Sequence, residues 1–204
     1  PRRIPLTIRS LAAALLALAA ALPALAVDAA RVPEEKRTRL GLYLDVREAF
    51  AMKRDLGARA LFVDVRRRAE AQYVGLPAVA DAIVPLVEVS SGEWDEKKGR
   101  LLLVPQKDFV ARVEERLAAA GLAKGDPVIL ICRSGDRSAR AVDELAAAGF
   151  DTVYTVVDGF EGDLSRAGRR DVNGWKNADL PWSYRLTKDK AFFERKSPLV
   201  PGRS

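Results

Sequence analysis

Three observations predict an α/β fold with a mainly parallel central sheet flanked by helices. Short apolar, β-branched runs alternate with helically spaced apolar positions from residue 42 to residue 157, the pattern of strand–helix–strand units. One of those runs, Val128-Ile129-Leu130-Ile131, reaches Cys132 and then passes through a short loop containing Gly135 into a helical pattern. The chain has 204 residues, 49% of them hydrophobic, enough for one domain with a proper core.

The chain opens with Arg2, Arg3 and Arg9, an Ala/Leu run from Leu11 to Leu22, and Ala24-Leu25-Ala26. A basic start, a short apolar run and a small-x-small site make the three-part plan of a secretory signal peptide over residues 1–26. The expected location is therefore periplasmic or secreted. A retained anchor is disfavoured because the run is short for a spanning helix. Ile4-Pro5-Leu6 fits twin-arginine export poorly. Loss of three Arg and no acid lowers the formal charge from +6 to +3, so nucleic-acid binding does not follow from the basic composition.

Residues 27–41 are polar and read as a lead-in to a domain over 42–162. Leu42-Tyr43-Leu44 predicts a short strand. Val46, Ala49, Phe50 and Lys53 keep helical spacing, with Gly57 as the stop. Ala60 to Val65 reads as a buried strand. Ser90–Arg100 is polar apart from Trp94 and reads as a loop insertion, its Trp either contacting a partner or, more commonly, packing back on its own domain. Phe109, Val113 and Leu117 recur at i, i+4, i+8, giving an amphipathic helix that Gly121 ends. After the Cys132 loop, Ser138 is the expected N-cap of a helix carrying Val142, Leu145 and Ala146 and ending at Gly149. Val153–Val157 is the next strand. Beyond residue 163 regular patterning ends. Trp175, Trp182 and Tyr184 stand among charges in a 163–204 tail, where they either cover the site mouth or, as preferred here, pin the tail to the sheet; 197–202 is expected to fray.

The chemistry concentrates at Cys132. There is one Cys and no His, hence no intramolecular disulfide, no Cys/His metal site and no Cys–His catalytic pair. No metal or cofactor is implied. A strand that turns through a tight loop into a helix start gathers N–H groups and the positive helix end on one point. Such surroundings favour a thiolate, and Arg133 and Arg137 add forked donors for an oxyanion. Ser134 offers a hydroxyl, and Gly135 lets the loop curl. Asp136 is out of place beside an anion pocket and is expected to face solvent or pair with an Arg. The bland alternatives are a buried inert thiol and solvated surface arginines.

Cys132-Arg133-Ser134-Gly135-Asp136-Arg137-Ser138 resembles the active-site loop of single-domain rhodaneses, the thiosulfate sulfurtransferases, whose cysteine carries a persulfide. Cys132 to Arg137 spans six residues, as in sulfurtransferase rhodaneses; related phosphatases use a loop one residue longer, which argues against a phosphate- or arsenate-directed enzyme. Asp64-Val65-Arg66 with Glu70 and Tyr73 resembles the family's Asp-Val-Arg…Glu-Tyr segment, whereas Asp45-Val46-Arg47 is taken as coincidental. The resemblance implies that Asp64 and Arg66 fix the loop. It leaves Glu70 either facing an active-site Arg or lying on a solvated helix face. Gly75 to Leu86 matches the family's next segment except for a missing His, and Asp158–Gly162 resembles its closing turn. A rhodanese-like three-layer domain is implied, with Cys132 as nucleophile and residues 133–138 binding a small anionic sulfur donor. The acceptor would be a thiol, cyanide or a protein. Sulfite leaves thiosulfate without a protonating imidazole, so a His-free chain suits this double displacement, while cysteine proteolysis is disfavoured. The other reading is a persulfide carrier with little turnover on small molecules.

Overall fold

The computed structural model of the protein describes residues 27–195. The signal peptide expected over residues 1–26 and the fraying expected at 197–202 lie outside the described residues.

Two 3-10 turns, Ala29–Arg31 and Glu34–Lys36, lead into β1 (Tyr43–Leu44) and α1 (Val46–Leu56). Asp45 starts α1 with a capping box. Its carboxylate accepts the Glu48 N–H at 2.8 Å, and the Glu48 carboxylate accepts the Asp45 N–H at 2.8 Å. The chain continues through β2 (Leu61–Asp64), α2 (Arg68–Val74), β3 (Leu76–Pro77) and β4 (Ala82–Ile83). Then follow β5 (Val87–Asp95), β6 (Arg100–Pro105), α3 (Phe109–Ala119), β7 (Val128–Ile131), α4 (Asp136–Ala147), β8 (Val153–Val156) and β9 (Trp182–Ser183).

The central sheet has the order β1-β8-β7-β2-β4, and every neighbouring pair is parallel. The expected α/β architecture is therefore present. Its inner strands are buried on both faces, which is why β2 and β7 read as unbroken apolar runs rather than alternating ones. Ala49 of α1, Ala71 of α2, Val113 of α3 and Val142 of α4 close the core against them. β7 lies between β2 and β8, with Asp64 opposite Ile131 and Thr155 opposite Leu130. The C-terminal ends of three strands thus meet directly beneath the Cys132 loop, the edge where open parallel sheets place their sites.

Two expectations are corrected. Ser90–Arg100 is no irregular loop: it forms most of an antiparallel hairpin, β5 with β6, that is a sheet of its own. The ribbon is wetted on both sides, and its register shifts between Val89 and Trp94, so no two-residue alternation marks it. Trp94 does not pack back on the domain but is 54% exposed. Secondly, α4 begins at Asp136 with Gly135 as N-cap, so Ser138 lies inside the first turn.

The segment after residue 163 is tied to the domain. Trp175 is fully buried, meets Phe62 and Phe50 edge-on at 5.6 and 5.9 Å, and donates its indole N–H to the Pro181 carbonyl at 3.0 Å. Trp182 sits in β9, which pairs with β3. Arg116 donates to the carbonyls of Asp189 and Ala191, and Phe192 is buried. Aromatic anchors spaced along an irregular path do the fastening.

Candidate active site

Strand β7 delivers Cys132, and the four residues Cys132–Gly135 bridge it to α4. Cys132 is buried, with Sγ accepting the Gly135 N–H at 3.1 Å and lying 3.5 Å from the Ser138 hydroxyl. Gly135 makes this bend possible. Its φ is +97°, and a Cβ there would collide with the Val157 carbonyl. The sulfur therefore faces a backbone N–H at the start of a helix, where partial positive charge concentrates.

Ser138 Oγ lies 3.1 Å from the Gly135 carbonyl and accepts the Thr155 hydroxyl at 2.8 Å. Thr155 and Ser138 are both fully buried. Together they form a short polar chain from β8 to the sulfur. Thr155 escapes sequence reasoning, although a hydroxyl within the apolar run Val153–Val157 is the signal that marks it.

The turn after β8 clamps the other side of the loop. Phe160 donates its N–H to the Cys132 carbonyl at 2.7 Å, while Glu161 and Gly162 donate to the Arg133 carbonyl at 3.0 and 3.1 Å. With these carbonyls turned away and bonded, the loop keeps N–H groups for the site. Gly159 has φ +68°, and a Cβ on it would sit 2.5 Å from the Arg133 carbonyl oxygen and the Ser134 nitrogen. The lead-in also reaches the site. Lys36, nearly buried, donates to the Val157 carbonyl at 3.1 Å and to Asp163 at 2.8 Å.

The predicted residues come together unevenly. Arg137 does not present an open fork to an anion. Its two terminal nitrogens each donate to Glu70 at 2.8 Å, and both side chains are less than a tenth exposed. A guanidinium buried to that degree needs its carboxylate, and this one has it. Glu70 thus faces Arg137 rather than solvent, and also accepts Arg67 at 2.6 Å. Burial alone would raise the Glu70 carboxyl, but the hydrogen bonds and charge of Arg137, and then of Arg67, outweigh it and hold the group at about 2. The Arg137 guanidinium, despite its burial, is pushed up by the same pair.

Asp64 and Arg66 form a fully buried ion pair at 2.6 Å. Arg66 also donates to the Gly75 carbonyl at 2.6 Å and lies over the Phe160 ring, 4.1 Å from its centroid. Neither side chain hydrogen-bonds the Cys132 loop. Their influence runs through Phe160, whose N–H holds the Cys132 carbonyl. Asp136 is exposed, with its carboxylate accepting the Ser134 hydroxyl at 3.3 Å and lying 3.9 Å from Sγ. Arg133 is half-buried, and its Nε is buried without a hydrogen-bond partner. Arg133, Asp136 and Arg137 open onto a cleft of about 580 Å³ whose opposite wall is the β5–β6 hairpin.

Among the described residues, no group of three or more His, Cys, Asp or Glu side chains is placed to hold a metal. No helix among them is long and apolar enough to cross a membrane. What the arrangement offers chemically is one sulfur nucleophile, positioned by N–H and hydroxyl groups, beside a cation-rich opening.

Comparison with known proteins agrees with this architecture. The chain is 32% identical to Rv0390 from M. tuberculosis, whose crystal structure matches with a TM-score of 0.55 over 70% of this chain and 97% of that one. It is 30% identical over 125 residues to the uncharacterized protein RC0915 of Rickettsia conorii, a match covering 61% of this chain and 84% of the relative. A thiosulfate sulfurtransferase from Pseudomonas aeruginosa aligns at 21% identity and a TM-score of 0.47, over 76% of this chain and 22% of that one. Residues 45–165 match the rhodanese-like domain, a span that holds the parallel sheet, the Cys132 loop and the clamp at Gly159–Gly162, and the chain belongs to that family.

Proposed function

We propose that this chain is a rhodanese-type sulfurtransferase, moving sulfane sulfur from thiosulfate or a similar donor through a persulfide on Cys132 to a thiophilic acceptor. The observation that carries this reading is the seat of Sγ at the C-terminal end of β7, 3.1 Å from the Gly135 N–H at the head of α4. In the first half-reaction the Cys132 thiolate attacks the outer sulfur of thiosulfate. The S–S bond of the donor breaks, and its electron pair leaves with sulfite. The product persulfide is an anion, for which the Gly135 N–H and the Ser138 hydroxyl are the nearest donors. In the second half-reaction a thiolate or cyanide attacks the terminal sulfur and the Cys132 thiolate is regenerated. Neither half requires an acid, which suits a chain with no histidine.

Intact mass before and after thiosulfate tests this. A gain of one sulfur atom in the wild type, absent in Cys132→Ser and discharged by cyanide as thiocyanate, is expected. No gain would sink the thiosulfate donor. The exposed Trp94 on the projecting hairpin favours a second reading, a carrier that hands its sulfur to a docked protein. Rapid loading with slow discharge to small acceptors would select it. We infer further, from the Arg2-Arg3-Arg9 and Leu11–Leu22 pattern, that residues 1–26 direct export to the periplasm or beyond. N-terminal sequencing of the mature protein near Val27 checks that.

A further inference from the structure

The loop chemistry accounts for only one end of the cleft. At about 580 Å³ the cleft is far larger than a tetrahedral oxyanion needs and falls in the range of about 300–1,000 Å³ typical of sites for larger organic ligands. Its apolar lining comes from the hairpin, through Leu102, Leu103 and Pro105 with Val87. Six cations also line it. Arg67 and Arg137 are paired with Glu70. The other four, Lys98 and Arg100 from the hairpin with Arg133 and Arg140 from the loop and α4, make no ion pair among the described residues. Carboxylates also line the cleft, at Glu35, Asp95 and Asp136, yet none of them forms an ion pair with these four cations. Arg133 Nε is in addition a buried donor with nothing to donate to. Cations left unpaired beside available acids, around a roomy and partly apolar cleft, describe a site that lacks its anion.

We propose that Lys98, Arg100, Arg133 and Arg140 form an anion subsite that selects organic thiols carrying a carboxylate remote from sulfur as the acceptors of the Cys132 persulfide. This rests on the sulfur-transfer reading above. The sulfur end of the acceptor enters beside the Cys132 loop. Its carbon chain lies along Leu102, Leu103 and Pro105, and its carboxylate meets the hairpin cations. The transfer itself is balanced by the acceptor alone: its thiolate takes the terminal sulfur, becomes a persulfide, and returns the electron pair to Cys132.

The full chain, loaded with thiosulfate, is discharged at low ionic strength by 6-mercaptohexanoate and by its uncharged analogue 6-mercaptohexanol. The ratio of the two rate constants is compared between the wild type and Lys98→Gln/Arg100→Gln. Comparing the ratio between proteins cancels the intrinsic reactivity of each thiol, and taking the ratio within each protein cancels any common effect on loading. It is expected to be at least about tenfold higher in the wild type, and the gap to shrink as salt screens the cations. Lys98→Arg/Arg100→Lys, which keeps both charges on the hairpin, retains the wild-type ratio. Equal ratios in the wild type and the Gln variant, or loss of the ratio in the charge-preserving variant, would overturn the subsite. If thiosulfate loads none of the proteins, the thiosulfate donor fails instead, and calorimetric binding of glutarate decides the subsite. Binding by the wild type but not the Gln variant supports it, and equal or absent binding overturns it.

Discussion

Replacing Glu70 by Gln removes the negative charge from a cluster in which two arginines converge on one nearly buried carboxylate. The carboxyl is held at about 2 against an ordinary 4.5. At 1.36 kcal/mol per pKa unit, that difference corresponds to about 3 kcal/mol of stability at neutral pH. The figure agrees with the roughly 3–5 kcal/mol lost when one partner of a buried ion pair is deleted. A carboxyl with a depressed folded-state pKa stabilises the protein fully above its unfolded value of about 4.5. That contribution disappears as pH falls toward 2, because the proton then binds both states alike. Urea unfolding of wild type and Glu70→Gln, at pH 7 and at about pH 3, measures it. The difference is expected to be about 3 kcal/mol at pH 7 and to fall below half of that at pH 3, while other titrating carboxylates cancel between the two proteins. Variants that agree within about 0.5 kcal/mol at pH 7, or a difference that does not change with pH, would refute the account of this pair.

Further outcomes are expected elsewhere in the molecule. Gly159→Ala, forced to φ +68° with its methyl against Arg133 and Ser134, should cost at least about 1–3 kcal/mol and slow persulfide formation, because the clamp on the loop must shift. Thermal unfolding and single-turnover loading read the two effects. Thr155→Val, which leaves Ser138 without its buried donor, should destabilise by about 1–3 kcal/mol and alter the loading rate; unchanged loading would remove Thr155 from the polar chain to sulfur. Trp175→Ala should cost about 3–5 kcal/mol, as for a large aromatic removed from a core, and denaturant unfolding will show it. A negligible cost would mean that the segment after 163 is dispensable. Trp94→Ala, on an exposed surface, should change stability by no more than about 0.5 kcal/mol.

The sheet and the site were readable to different depths, for physical reasons. β2, β7 and β8 are short and largely apolar, because helices cover both faces of the sheet they form. A run such as Val128–Ile131 therefore announces itself. The helices announce themselves by periodicity, and Phe109, Val113 and Leu117 are indeed the buried face of α3. The hairpin has no such code, since a ribbon wetted on both faces selects no alternation. The fastening of residues 163–195 also escapes local pattern, because Trp175 finds Phe50 and Phe62 more than a hundred residues away in the chain. At the site, residue types foretold an anion-binding loop, but not which cation would be occupied. Arg133 and Arg137 look equivalent as letters. Only the packing of α2 against α4 assigns Arg137 to Glu70 and leaves Arg133 at the opening. Thr155 and Lys36 act through partners that no spacing rule links to Cys132.

The hairpin has a further consequence for how the domain is assembled. Its stem is closed where Gln106 donates to the Leu86 carbonyl at 2.9 Å, and Leu86 itself donates to Val65 beside the end of β2. Nearly all of its pairing is between residues close in sequence, so it adds little to the contact order of a sheet whose other pairings join distant strands. Formation of the ribbon can proceed on its own microsecond timescale without waiting for the slow parallel register. The segment between Leu86 and Gln106 thus closes largely on itself, while its inner side lines the cleft with Arg133, Asp136 and Arg137. In this architecture one wall of the cleft is a locally paired ribbon mounted on a frame of long-range parallel strands.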